Sequence, residues 1–481
     1  LLSLALALAT PFVRAQDTPA NPAPDAPEAQ PAPLAPGDSH IRIVRLSEIR
    51  GAVQLDRNTG QGFEATMQNM PVVEGTRLQT ADGFAEIEFE DNTTVRLAPN
   101  SLLEFPRLIL HATGVRASTI SLKKGMAYVS LSSEKTNDFT VSLANRTLSI
   151  APSTHLRLQV DDTKAEIAVL HGTATVADSS ATTPINKKQT LTLDLAGAAP
   201  PAMTGKVVSG PYDEWDKQAL GYQKSYARNN ALSNSPYQYG ISDLNYYGSF
   251  ANLAGCGTMW RPYLASTAWD PYGNGLWAWY PSAGYSWVSP YPWGWTPFHY
   301  GSWQFCPGSG WGWTPGGQWR SLNNQPAGVA ANTIHAPRPP NPPTPGHATF
   351  VVTNRTPLAV SRLNSSSDSF VFTRNSAGLG VPRGSLGNLN KLSNSVEQHG
   401  FIARPVYSAA PTLNGPHPQN TVSAPMSLRQ GQAPPSVSHT DASSIQRGSP
   451  SYSPSSPASS PAPVSHSAPS SSGGSNPSSH K

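Results

Sequence analysis

Hydrophobic and polar positions alternate along much of the first half of this chain. Glu86-Ile87-Glu88-Phe89-Glu90, Thr94-Val95-Arg96-Leu97, Leu156-Arg157-Leu158-Gln159-Val160 and Thr173-Ala174-Thr175-Val176 each repeat with period two. Ala81-Asp82-Gly83, Asp91-Asn92, Asp161-Asp162 and His171-Gly172 punctuate them. Period two puts successive side chains on opposite faces of a strand, and the punctuation is turn chemistry. The pattern predicts an all-β domain over residues 41–195 with about 12 short strands, a sandwich or roll with one polar face per strand.

A second pattern follows. Gly275-Leu-Trp277-Ala-Trp279-Tyr-Pro281-Ser-Ala-Gly284-Tyr285-Ser-Trp287 returns 26 residues later as Gly301-Ser-Trp303-Gln-Phe305-Cys-Pro307-Gly-Ser-Gly310-Trp311-Gly-Trp313. Two aromatics two apart, Pro-x-x-Gly, then two more aromatics describe a strand, a turn and a strand. Each copy reads as a β-hairpin whose register is fixed by facing rings, Trp277 and Trp279 against Tyr285 and Trp287. Pro292-Trp293-Gly-Trp295-Thr-Pro297 echoes the second copy and reads as a third half-unit, so three small sheets are expected to stack within residues 245–320.

Between the two regions, residues 211–229 suit a short linking helix. Pro211 and acids open it, basic residues close it, and Trp215, Ala219 and Tyr222 share a face. Residues 325–345 form a Pro-rich linker. Residues 346–404 hold a small β unit with Leu379-Gly-Val-Pro-Arg383-Gly384 as a fixed loop. From 405 to 481 Ser, Pro and Ala dominate, and apolar residues are too sparse to offset ordering entropy, so a disordered tail is expected.

Composition narrows the classes. Of 481 residues 48 are proline and 13% are charged, with a formal net charge of +4. That charge is too small and too dispersed for nucleic-acid binding. Residues 1–15 are apolar with small residues at Val13 and Ala15, which suits an export signal cleaved before Gln16. With no initiating Met in the sequence, a longer membrane anchor stays an alternative. Residues 16–38 read as an Ala/Pro-rich linker. The expected location is periplasmic or secreted, in a bacterium.

Gly75-Thr76-Arg-Leu78 through Asp91-Asn92-Thr-Thr-Val-Arg-Leu97-Ala-Pro-Asn100-Ser101, with Leu122-Lys-Lys-Gly125-Met-Ala-Tyr-Val129 and Val169-Leu-His-Gly172-Thr-Ala-Thr-Val176, resembles the FecR-type periplasmic domain over about 150 residues. Thr76 stands where the family usually has Asp, and Asn92 where its turn has Gly, a change that Asn tolerates. The resemblance implies envelope signalling. In that family the domain often belongs to transmembrane regulators with a cytoplasmic anti-sigma segment and a periplasmic contact to a transporter. The aromatic block resembles a region of no known activity that follows such domains in some exported bacterial proteins.

Candidate chemistry is sparse in that block. From Ala251 to Arg320 the only carboxylate is Asp270, the only cations are Arg261 and Arg320, and the only imidazole is His299. Glycoside hydrolysis usually takes two carboxylates. Asp270, in Trp-Asp-Pro-Tyr, reads as a turn-former, and His299 as a hydrogen-bonded histidine between hairpins. No catalytic, cofactor-binding or metal-ligating set emerges, so the expectation is a non-enzymatic protein without cofactors.

Cys256 and Cys306 allow either a disulfide closing the block or two separate buried thiols. Eleven of the 12 tryptophans lie in the block. Each buries roughly 150–250 Å², so most are expected in the core, with Trp279, Tyr285, Trp295 and Tyr300 as rim candidates for ligand contact. Three functions remain: envelope protein interaction or signalling, polysaccharide or peptidoglycan binding on a tryptophan platform, and FecR-like sigma-factor control if an upstream cytoplasmic segment exists. The partner is thus an envelope protein or a cell-wall glycan. An extended structural spacer is a further reading, drawn from the linkers and tail.

Overall fold

A strand that changes sheets organises the first half of the molecule. Strand Arg116–Ser130 is 15 residues long. Its first part pairs antiparallel with Leu102–Leu110 and parallel with Asn137–Leu143, and its last part pairs with Thr94–Leu97 and His155–Val160 in a second sheet. Gly125 is the corner, at φ +93°. A Cβ there would lie 2.5 Å from Ser101 Cα, so only glycine allows the close approach. Ser101 Oγ then accepts the N–H of Met126 at 2.9 Å. The same device recurs at Gly172, which packs on Thr154, whose Oγ1 accepts the N–H of Thr173 at 3.1 Å.

The computed structural model describes residues 42–404, apart from 136, 179–180, 197–198, 228–231, 233–236, 317–318, 320–335, 345–346, 348 and 365–368. The expected signal at 1–15, the linker at 16–38, the tail at 405–481 and most of the Pro-rich linker lie outside the described residues. The protein is mainly β. Among the described residues seventeen strands from Val44–Arg50 to Ala202–Thr204 form two packed sheets, sixteen of them within 41–195, where about 12 were expected. Glu64–Ala65, Pro71–Val72 and Ala202–Thr204 are too short to display a period. The inward residues, among them Leu46, Ile87, Val95, Leu103, Val129, Leu158 and Ile167, make one aliphatic core.

Helix Asp213–Tyr226 lies on this sandwich. Its Trp215 is buried against Phe84, ring centroids 4.7 Å apart, and Tyr128. Asp213 holds the entry, accepting the N–H of Gly210 at 2.7 Å and Arg157 Nη1 at 2.6 Å.

The aromatic block forms the two hairpins. Asn274–Tyr280 pairs with Gly284–Val288, with Trp277 opposite Trp287 and Trp279 opposite Tyr285. Ser302–Cys306 pairs with Gly310–Thr314, with Trp303 opposite Trp313 and Phe305 opposite Trp311. The hairpins join different sheets. The second meets Gly248–Leu253 and Gly257–Pro262 in four strands. The first gains Phe350–Asn354, so that strand completes the first hairpin's sheet and is not part of a separate unit beyond 346. Arg362–Asn364, Ser369–Thr373 and Phe401–Arg404 form a third sheet beside helix Leu389–His399.

The third half-unit is not a strand. Trp293 lies in a turn, and Trp295–His299 is a short helix. The half-repeat brings no second strand to pair with, and Pro290, Pro292 and Pro297 remove the N–H groups a ladder would need.

Strand Asn274–Tyr280 has two working faces. Leu276, Ala278 and Tyr280 enter the aliphatic core of the sandwich, and Tyr280 donates to Pro71 O at 2.6 Å. Trp277 and Trp279 face the aromatic cluster. One strand thus serves both cores.

Candidate functional site

The polar faces of the sandwich strands supply the most unusual chemistry in the molecule. Arg45, Glu86, Glu88 and Arg96 alternate with core residues as expected of an outward face, yet all four are buried. Helix Asp213–Tyr226 and the aromatic block cover them. Arg45 reaches Glu88 Oε2 at 3.0 Å within the sandwich, and across the seam donates to Asp243 Oδ2 and to the carbonyl of Pro292, both at 2.6 Å. Arg383, from the loop between strand Ser369–Thr373 and helix Leu389–His399, donates to Glu86 Oε1 at 2.8 Å, Asp243 Oδ2 at 2.7 Å and Ser47 O at 2.8 Å. Arg96 spans Glu86 at 2.7 Å and Asp216 of the helix at 3.1 Å, and His155 Nε2 lies 2.8 Å from Asp216 Oδ2. Tyr222 donates to Asp243 Oδ1 at 2.8 Å.

Four carboxylates, Glu86, Glu88, Asp216 and Asp243, therefore meet three guanidiniums. Buried charges are tolerated only when paired and hydrogen-bonded, and the imbalance falls on Glu88. Burial pushes its carboxyl up, Arg45 pulls it back, and Asp243 and Glu86 raise it again, to about 7. Burial also pushes Glu86 up, but Arg96 and Arg383, with a hydrogen bond from Ser47, outweigh it and hold that carboxyl down at about 2. A second lock sits at Arg57. It donates to Trp279 O and Thr349 Oγ1, both at 2.5 Å, pairs with Glu64 at 2.6 Å, and lies 3.7 Å from the centre of the Phe350 ring.

The tryptophans form a core. Trp260, Trp269, Trp277, Trp287, Trp293, Trp295, Trp303, Trp311 and Trp313 are buried. Trp293 is central: it stacks on Tyr291 at 5.2 Å and Phe298 at 6.0 Å, touches Trp260, Trp269 and Trp303, and donates Nε1–H to Ala377 O at 2.6 Å. Trp260 donates to Leu244 O, Trp313 to Tyr300 O and Trp269 to the Tyr291 hydroxyl. Edge-to-face and stacked contacts orient the rings, and a bonded N–H fixes Trp260, Trp269, Trp293 and Trp313 further.

Three rim candidates are corrected by burial. Trp295, Tyr300 and Tyr285 are buried, because Tyr239 and Trp319 cover Trp295, Tyr237 stacks on Tyr300 at 3.5 Å, and Trp277 and Trp279 flank Tyr285. Trp279 keeps partial exposure. Cys256 and Cys306 are joined in a disulfide that ties the turn before Gly257–Pro262 to the end of strand Ser302–Cys306 in the same sheet, with Cα atoms 6.2 Å apart.

Asp270 accepts the N–H of Tyr272 at 2.9 Å, a turn-forming contact, and burial pushes its carboxyl up. His299 is buried and stacks on Trp319 at 4.1 Å, beside Trp295. Among the described residues no group of three His, Cys, Asp or Glu is placed to hold a metal ion, and no helix is long and apolar enough to cross a membrane. One open groove, of about 640 Å³, lies on the sandwich between Ile49–Gln54 and Ala65–Gln68.

Residues 76–175 match the family described as FecR protein. The chain carries a FecR domain. Residues 241–336 match a family of unknown function, DUF6600. The FecR match begins one residue before strand Arg77–Thr80 and ends inside Thr173–Ala177, while the sandwich itself runs from Val44 to Thr204. Two crystal structures described as a candidate anti-sigma factor from Parabacteroides distasonis are similar in part. One is 10% identical with a TM-score of 0.24 over 27% of this chain and 59% of that one. The other is 9% identical with a TM-score of 0.23 over 32% and 68%. The chain thus spans less than two thirds of the first of these. No curated protein matches it.

Sequence reasoning missed the seam around the FecR domain. The signals were the two acids Glu86 and Glu88 in one strand and the Arg383 of the fixed loop, which reads as structural until its partners are known.

Proposed function

We propose that this protein is a non-enzymatic, exported bacterial FecR-domain protein that acts by protein interaction in cell-envelope signalling. The observation that carries the reading is the FecR match at residues 76–175, a regulatory rather than enzymatic family. The Cys256–Cys306 disulfide supports export, since such bonds persist in oxidising compartments. The seam supports a rigid binding body: the FecR domain and the DUF6600 region share a core strand and a buried ion network, so they present one fixed surface. The glycan reading loses its motive, because the indoles that would stack on sugar rings pack on one another.

Fractionation with cross-linking in intact cells tests the proposal. The protein is expected in the envelope fraction, with Cys256 and Cys306 oxidised and cross-linked to a discrete envelope protein. Recovery from the cytoplasm with both thiols reduced would overturn it. Sigma-factor control is the finer branch, and the gene's start decides it: about 80 extra soluble residues upstream would support that branch.

A further inference from the structure

The geometry points to a docking slot on the FecR domain for an extended peptide segment of a partner protein, added as a strand. This rests on the protein-interaction reading and gives it a place. Strand Val44–Arg50 is paired from Arg45 to Arg50 on one side, with Phe84–Glu88. On the other side only Val44 and Arg45 are strand-paired, with Val72 and Pro71. Leu46 still exchanges backbone hydrogen bonds with Asn69 and Met70, and the Ser47 carbonyl is capped by the Gln68 and Arg383 side chains. From Glu48 to Arg50 no strand among the described residues lies along that edge.

The groove opens beside Ile49 and runs on past Gly51 and Ala52. Its volume of about 640 Å³ falls in the range of about 300–1,000 Å³ usual for binding clefts. Its opposite wall is Ala65–Gln68, at the end of the two-residue edge strand Glu64–Ala65. An unpaired edge beside a short strand is a template for an added strand, with backbone hydrogen bonds supplying affinity and the lining supplying choice.

The lining selects the occupant. Gln54, Gln68, Gln79 and Asn100 present amides, Lys124 is the one charged residue, and no carboxylate lines the groove. Gln79 and Gln54 already bond to each other at 2.6 Å, holding those amides in place. A strand with small or amide side chains and an acidic residue near Lys124 fits; a basic strand does not.

The test uses the full chain. A displayed library of random peptides is selected on it, and selected sequences are made as labelled peptides for fluorescence anisotropy. Saturable binding is expected, with acidic residues enriched. Methylating alternate backbone nitrogens should weaken it at least tenfold. Ala65→Trp and Ala81→Trp, at exposed alanines that line the groove, should do the same with an unchanged melting temperature, and Lys124→Glu should remove the acidic preference.

No selected peptide, tolerance of N-methylation, or undiminished binding by both filled variants would overturn the slot. A concentration-dependent dimer abolished by Ala81→Trp would overturn it as well, by assigning the edge to a second copy. If the filled variants keep the envelope cross-link, the slot is wrong and the interaction reading stands. If neither wild type nor variants cross-link to any envelope protein, the interaction reading itself falls.

Discussion

The two cores of this molecule are built on opposite principles. In the FecR domain Leu, Ile and Val project from alternating positions, and burial is non-directional, about 25 cal/mol per Å² whatever the neighbour. In the aromatic block few aliphatics are available, and stability comes from large rings fixed by contacts with one another and, at Trp260, Trp293 and Trp313, by N–H donation to specific carbonyls. The first arrangement tolerates volume-conserving exchange. The second does not, because an indole that donates from its edge has no isostere among the other side chains.

Removing the hub tests that contrast most severely. Trp293→Ala is expected to cost about 4–5 kcal/mol and to abolish the near-ultraviolet dichroism of the whole block, whereas Leu158→Met in the FecR core should cost under about 1.5 kcal/mol. Equal losses in denaturant titrations would erase the distinction.

Reducing Cys256–Cys306 should come next. The cross-link is between residues 50 apart in sequence, and loop-closure entropy puts its contribution at about 4 kcal/mol. The melt in reductant should fall accordingly, with Cys256→Ser/Cys306→Ser insensitive to reductant.

The seam gives a pH signature of its own. Glu88 has a folded value raised to about 7, so its contribution is full below the unfolded carboxylate range and lost as pH rises through 7. Glu86, lowered to about 2, contributes above that range and is lost as pH falls toward 2. Glu88→Gln should therefore flatten the decline between pH 5 and 8, a difference of about 3 kcal/mol at most by the usual 1.4 kcal/mol per pH unit. An unchanged slope in that variant would mean that Glu88 does not hold the surplus proton.

The smallest effect belongs to the part-exposed indole. Trp279→Ala breaks the ring pair with Tyr285 and should cost about 1–2 kcal/mol, well below any buried tryptophan. A loss as large as that of Trp293 would place it in the core.

What could be read from the chain follows the range of the forces involved. The FecR strands were legible because their period is local, and the hairpins because Trp277, Trp287, Trp303 and Trp313 recur at a fixed offset. The seam was not: Arg45 meets Asp243 198 residues away, and Arg383 meets Glu86 297 residues away. An outward polar face looks the same in sequence whether water or a charged neighbour covers it. Pro292 to Pro297 imitated a strand by composition alone. Helix Leu389–His399 was missed although Leu389, Leu392 and Val396 share a face and Asn388 caps it, accepting the N–H of Lys391 at 2.9 Å, because its polar residues resemble those of the loops around it.

Because strand Asn274–Tyr280 lends Leu276, Ala278 and Tyr280 to the sandwich, the FecR match is not a portable piece of this polypeptide. A truncation ending at residue 175 would discard strands Thr182–Asn186 and Thr190–Asp194, take Leu191 from beside Ile167 and Tyr280 from Pro71, and leave Glu88 and Arg45 without Asp243 and Arg383. Such a fragment should aggregate, and weak or absent binding by it would say nothing about the intact protein.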